Sequence, residues 1–370
     1  MRAHCVVGLG FGDEGKGLVT DFLCSKDPDN TEVVRFSGGH QCAHRVVRGD
    51  VEHIFSNFGS GTLLGCPTHW SRHCTFEPVG LMRERALLVS KGLDPVISVH
   101  PDCPVTTPYD ILACQEGPER EHGTTGVGFF QTKKRHYMDN LTLTTRELLL
   151  VPMGDVLDKL RAIWRYHGKS EDLAAAETFY AACMSVRECV CLSSQPTRKR
   201  LVFEGSQGLL LDENIGTMPH CTPSDVTPRN ALELAGHIDE VWLVTRAYQT
   251  RHGAGPMTNE DLPVRFKDSV TESNGTNEFQ GEFRTSVLDL DPLVRAKTEG
   301  IDAVVPEGTK VNLVVTCVDQ VEAFEITKSR ELRGFKDADD LVRFVGESLG
   351  VNGDIYVNTS PRADTIRQVS

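Results

Sequence analysis

The chain has no apolar run approaching the roughly 18 residues that a membrane-spanning helix needs. It has no internal repeat and no low-complexity tract, which sets aside solenoid and linker-like architectures. It is short of positive charge. Lys and Arg number 39 against 52 Asp and Glu, for a net charge of −13. That balance argues against broad binding to nucleic acid or to anionic membranes, so an anionic ligand must be held by local cations and backbone N–H groups. Paired C-x-x-C elements are missing too. The 12 cysteines are scattered, with Cys189-x-Cys191 and His69…His73-Cys74 as the close groupings. A zinc site would want two converging halves, so buried thiols of a reducing compartment are expected instead. Met1-Arg2-Ala3-His4 runs straight into an apolar strand, and a cytoplasmic protein without a signal peptide is the expectation.

What is present reads as an α/β protein. Of 370 residues, 39% are apolar and 25% charged, enough for a sizeable core. Short β-branched runs at 5–7, 33–36, 201–203, 241–244 and 311–315 alternate with helical patterns such as 156–166, 173–186 and 230–235. This alternation predicts a single large domain over 1–370, with a mostly parallel central sheet flanked by helices. Ligands of such sheets bind beyond the carboxyl ends of the strands, and the polar signatures fall there.

The first strand runs into Gly10-Phe11-Gly12-Asp13-Glu14-Gly15-Lys16-Gly17. The spacing is that of a P-loop-like phosphate loop, but Gly17 stands where a Mg²⁺-binding Ser or Thr follows in ordinary P-loops. A plain P-loop NTPase is therefore disfavoured. Asp13 would be repelled by phosphate unless it has its own task, and a carboxylate there can take a proton from a group about to be phosphorylated. The second strand leads to Ser37-Gly38-Gly39-His40-Gln41-Cys42-Ala43-His44. His44 can donate to an oxygen that gains charge, although a core histidine would look the same. In Glu204-Gly205-Ser206-Gln207-Gly208, Gln207 can read an amide-like purine edge, or the segment is a polar turn. Gly123–Gly128 with Lys133-Lys134-Arg135 suits a monophosphate or a solvated basic loop. Asp319, after the strand at 311–315, can accept from guanine or cap a helix.

Taken in order, these loops resemble the adenylosuccinate synthetase family. Its pattern runs GDEGKG, GGHNAGHT, GTTGRGIGP, EGAQG, GTYP…TSS, RVGAGPFPTE, GNEFG, RRRRTGWLD, TKLD and STGP. Here it is matched by Gly12–Gly17, Gly38–Arg45, Gly123–Gly128, Glu204–Gly208, Gly216–Pro219, Arg251–Pro256, Asn277–Phe279, Thr316–Asp319 and Thr359–Pro361. The resemblance implies an NTP-dependent ligase that phosphorylates O6 of a 6-oxopurine nucleoside monophosphate and then joins L-aspartate at C6. It implies Asp13 as the base at N1, with Lys16 and His44 on the transferring phosphoryl group. Gly12, Gly15, Lys16, Gly17, Gly39, Asp319 and Ser360 would hold the nucleotide, and Mg²⁺ would sit on Asp13 and a carbonyl near Gly39. Gln41, Thr124, Thr125, Gln207, Thr222, Arg284 and Thr285 would hold substrate. Arg135, or Lys134 beside it, would serve the 5′-phosphate, from the second subunit of a homodimer.

The departures point within the family. RRRRTGWLD becomes Glu282–Asp289, with Arg284 the remaining arginine, and TKLD becomes Thr316-Cys317-Val318-Asp319. Loss of a ribose 2′-OH reader suits a deoxyribose, so the chain resembles the viral branch, which makes 2-aminoadenine deoxynucleotide precursors from dGMP in the host cytoplasm. IMP is the alternative acceptor. The donor expectation is ATP or dATP, with GTP possible. A nucleotide-sensing module without turnover is the non-enzyme alternative.

Overall fold

The computed structural model describes residues 1–117, 124–169, 173–268, 270, 274 and 278–369. Gly123 and Asn277 of the family motifs lie outside the described residues. A ten-stranded sheet forms the centre. Its order is Arg367–Gln368, Ile355–Val357, Lys310–Thr316, Glu240–Arg246, Arg2–Gly8, Arg200–Gly208, Thr31–Arg35, Thr68–Trp70, Ile97–Val99 and Val190–Leu192. Neighbours run parallel except Arg367–Gln368, which is antiparallel to Ile355–Val357.

The continuous apolar strands are explained by burial on both faces. Along the first strand, Cys5 and Val7 pack on one side with Leu290 and Leu293 of helix Leu290–Lys297 and Leu341 and Val345 of helix Ala338–Leu349. Val6 points to the other side, with Leu18, Val19 and Leu23 of helix Lys16–Cys24. This alternation is the period-2 geometry of a strand. A separate core joins Trp70, Val99 and Val190 to helices Pro78–Ser90, Met153–Tyr166 and Leu173–Cys189. The α/β expectation holds. Among the described residues no helix is long and apolar enough to cross a membrane, and all 12 cysteines are free, eight of them buried.

Three features were not legible in the sequence. Glu204–Gly208, read as a loop, is the second half of strand Arg200–Gly208, with Glu204 beside both Val6 and Arg35. His44 opens a hairpin of His44–Arg48 and Val51–Phe55 rather than closing a loop. A second sheet runs in the order Tyr248–His252, Phe283–Asp289, Phe324–Lys328, Glu331–Phe335. Because Lys310–Thr316, Glu240–Arg246, Arg2–Gly8, Arg200–Gly208 and Thr31–Arg35 are adjacent and parallel, the loops that follow them share one edge of the sheet.

Candidate active site

The phosphate loop is built from backbone conformations that side chains resist. Gly12, Asp13 and Gly15 have φ of 93°, 58° and 97°. Gly15 caps helix Lys16–Cys24 with no side-chain hydrogen bond, so the first N–H groups of the helix are left for a ligand. The strand bearing Gln207 presses on this loop: a side chain at Gly208 would start 2.8 Å from the Gly12 nitrogen. Gly17 explains itself sterically. A Cβ there would lie 2.8 Å from His44 Cβ and 2.9 Å from Ser60 Oγ. The hydroxyl of an ordinary P-loop has no room, because His44 takes that space. Gly17→Ser is therefore expected to lower stability by about 1–3 kcal/mol through overpacking, read by urea unfolding; an unchanged midpoint would refute the crowding.

Asp13 stands at the loop's tip. Burial raises its carboxyl pKa, but the His252 hydrogen bond and charge, with Arg246 and Lys16, outweigh this and leave it lowered. The carboxylate is thus ionised at neutral pH. His252 Nε2 lies 3.2 Å from Asp13 Oδ2, and Arg246 Nε donates to the Asp13 carbonyl. Neighbouring Glu14 is buried, which pushes its carboxyl up to about 7. It accepts from the Gly10 N–H and lies 3.9 Å from Lys16 Nζ.

His44 is set by a buried carboxylate. Its Nδ1 is 2.8 Å from Glu204 Oε1, and Glu204 also accepts from Ser60 N at 3.2 Å and from Ser60 Oγ. Arg35 NH1 is 3.9 Å away, with both side chains fully buried. Burial raises the Glu204 pKa, but the charge and hydrogen bond of His44, with Arg35 and Ser60, bring it down to about 2. Burial lowers the pKa of His44 despite Glu204. Nδ1 faces Glu204, and among the described residues the buried Nε2 has no hydrogen-bond partner.

The second loop meets the end of strand Arg200–Gly208. A side chain at Gly38 would start 2.6 Å from Ser206 Oγ and 3.0 Å from Gln41 Nε2. One at Gly39 would meet Thr75 Oγ1 and Gln41 Oε1. Among the described residues, both polar atoms of Gln41 are buried without a partner, as is His40 Nδ1. Unsatisfied buried polar atoms cost about 1–3 kcal/mol each, and a cluster of them beside a phosphate cradle is what a polar ligand would satisfy. Gln207 is held by Ser206 Oγ, which donates to Gln207 Oε1. Thr316, ending its strand, donates to the Glu14 carbonyl at 2.8 Å, which ties the segment carrying Asp319 to the phosphate loop. Ser360 follows the adjacent strand and bonds Thr365 Oγ1 at 2.9 Å.

A family model described as adenylosuccinate synthetase matches residues 5–282. The chain belongs to the adenylosuccinate synthetase family. An adenylosuccinate synthetase of Thioalkalivibrio sulfidiphilus is 32% identical over 281 residues, covering 69% of this chain and 64% of that protein. The match thus spans just under two thirds of the curated relative. A fully ligated adenylosuccinate synthetase from Plasmodium falciparum shares the fold, with a TM-score of 0.78, 15% identity and 99% of each chain covered. So does the succinoaminodeoxyadenylate synthetase of cyanophage S-2L bound to dGMP and dATP, with a TM-score of 0.65, 17% identity, and 100% of this chain and 95% of that one covered.

Against the roles that adenylosuccinate synthetase motifs imply, the remaining residues divide. Thr124 Oγ1 bonds Cys114 Sγ at 3.0 Å and accepts from Gly126 N at 3.3 Å. Thr125 and Thr222 are partly exposed. Thr285 pairs with Thr250 in the second sheet. Arg284 donates to the carbonyls of Gly253 and Gly255 at 2.7 and 2.8 Å and to Glu260. The expectation for Arg135 fails. It is fully buried, donates to both oxygens of Asp110 at 2.7 and 2.8 Å, and reaches the carbonyls of Val105 and Leu141. All three of its guanidinium nitrogens are taken inside the protein, which leaves none for a phosphate. Lys133 and Lys134, on the same turn, instead line an open pocket of about 330 Å³ with Glu213, Pro223 and Asp225. Burial lowers the pKa of Lys133. His252 and Glu204 were missed as site residues. His252 stood inside a quoted motif, but what makes it significant is a contact 239 positions away.

Proposed function

We propose that the chain is a carbon–nitrogen ligase that joins L-aspartate to C6 of a 6-oxopurine nucleoside monophosphate, with dGMP as acceptor and ATP or dATP as donor. The observation that carries the reading is a carboxylate, Asp13, set inside a phosphate loop with His252 Nε2 3.2 Å away. Asp13 takes the proton from N1, and O6 then attacks the γ-phosphorus as the nucleoside diphosphate leaves. The aspartate amine adds at C6 and expels phosphate. Lys16 and the loop N–H groups hold the donor phosphates. An arriving anion favours protonation of His44. Its imidazolium, buttressed by Glu204, then donates from Nε2 to the phosphoryl oxygens. Gln207 and Gln41 face the purine, with Thr125 and Thr222 at the 5′-phosphate. With Arg135 buried, Lys134 or its neighbour Lys133 serves the 5′-phosphate. Asp319 and Ser360 flank the donor base.

Mg²⁺ fits this donor set. The ion needs only one or two protein oxygens when phosphates supply the rest, and among the described residues no cluster of three or more His, Cys, Asp or Glu forms an all-protein cage. Asp13 and a carbonyl at Gly39 would hold it, and it would neutralise charge on the phosphates. The chain would act as a cytoplasmic homodimer.

Support for deoxyribose comes from Arg284. Its two terminal nitrogens are taken by the Gly253 and Gly255 carbonyls and by Glu260, and its Nε is buried, which disfavours a ribose hydroxyl as its partner. The cyanophage protein of the same fold is bound to dGMP and dATP. The second reading is IMP with GTP, favoured by the retained Asp13 and by the name of the curated relative. Steady-state phosphate release decides, with dGMP, GMP, IMP and dIMP each paired with ATP, dATP and GTP plus aspartate. The expected result is aspartate-dependent turnover of dGMP exceeding that of IMP by at least about tenfold in kcat/KM. Preference for IMP would overturn the acceptor, and nucleotide binding without turnover of any pair would leave a sensing module.

A further inference from the structure

The phosphate loop is steadied by a distant segment. Arg246, at the end of strand Glu240–Arg246, donates to the Asp13 carbonyl. Thr250 Oγ1 lies 3.4 Å from the Gly12 carbonyl. His252, two residues further on, brings Nε2 to 3.2 Å from Asp13 Oδ2. The three come from one stretch of chain that bends from the main sheet into the small one.

Asp13 needs such a hold. Its φ of 58° leaves it on a left-handed turn, and a carboxylate can turn about its last bond. His252 is itself well fixed. Its ring packs against Phe283 with centroids 4.8 Å apart, directly across the antiparallel pair, and Arg246 covers the same phenyl ring. The family motif RVGAGP carries valine where this chain has His252, and a valine cannot donate a hydrogen bond.

Resting on the reading of Asp13 as the base, we infer that His252 is a positioning residue for proton removal from the purine: its Nε2–H pins Oδ2 and sets the plane of the Asp13 carboxylate toward N1. The donor matters, and the ring serves to aim it. Two substitutions separate these parts. His252→Gln keeps an N–H at nearly the same reach and loses the ring. His252→Phe keeps the ring on Phe283 and loses the donor. A misplaced reacting group costs about 100-fold, so His252→Phe is expected to lose about that in kcat. KM for monophosphate, NTP and aspartate should stay within about threefold, while His252→Gln stays within about fivefold of native in kcat.

The assay uses the full chain with dGMP and, separately, IMP, and thermal unfolding is recorded for each variant. The inference is overturned if His252→Phe matches native, if both variants are equally slow, or if KM rises with kcat unchanged. Asp13→Asn is measured alongside. Retained turnover there would remove the base and the proposed chemistry with it. An inactive Asp13→Asn beside a fully active His252→Phe would remove this inference alone.

Discussion

Asp13→Asn is expected to reduce turnover by at least about 10³-fold, within the range that a general base contributes, while nucleotide affinity changes little. Asparagine is the informative replacement. Asp13 has a φ of 58°, and asparagine tolerates that left-handed conformation, whereas alanine would add strain. The amide oxygen can still accept from His252, so the loop keeps its shape. What is lost is basicity. An amide does not take the N1 proton, and without that transfer O6 stays a poor nucleophile. Aspartate-dependent phosphate release measures the rate, and calorimetric titration with ATP measures binding. Turnover within tenfold of native would refute Asp13 as the base. A parallel collapse of ATP affinity would assign Asp13 to phosphate-loop architecture instead.

Glu204→Gln should produce the largest loss of stability. Arg35 is fully buried, and among the described residues none of its side-chain nitrogens has a hydrogen-bond partner. Its guanidinium sits 5.4 Å from the Trp70 ring and 3.9 Å from Glu204. Removing the carboxylate strands a buried cation, a change that costs about 3–5 kcal/mol. His44 loses the acceptor that fixes its tautomer, so kcat should fall as well. The sign with pH follows from the depressed Glu204 pKa. A carboxyl whose pKa drops to about 2 on folding, from an ordinary 4.5, contributes its stability above pH 4.5, and that contribution fades as pH falls toward 2. The native protein should exceed the variant at pH 7, and the gap should narrow on acidification below 4.5. Urea unfolding at pH 7 and at intervals down to pH 3 tests this. Equal midpoints at pH 7 would show that the Glu204 charge does not hold the core.

The wrong and missing assignments have a common origin. Arg135 follows two lysines, and a basic run reads as solvent-facing. Asp110, which buries it, is 25 positions away and looks like any helix-start acid. Glu204 looked like the first residue of a polar loop because polar residues rarely continue a buried parallel strand. It does so because Arg35 and His44 lie on neighbouring elements and compensate its charge. Gly17 was visible as a missing hydroxyl, but its reason, the volume of His44, is a contact between segments.

The sequence alone determined the strand–helix alternation, the placing of the phosphate loop after the first strand, and the family. Each of these rests on local spacing and residue type. Only the tertiary structure decided which charges are spent inside the protein and which remain for a ligand. Arg135, Arg284 and Glu204 have their partners on other elements, whereas the buried Nε2 of His44 and amide of Gln41 have none among the described residues. The free energy of a polar group depends on what surrounds it within a few ångströms, and those neighbours are set by packing rather than by order along the chain.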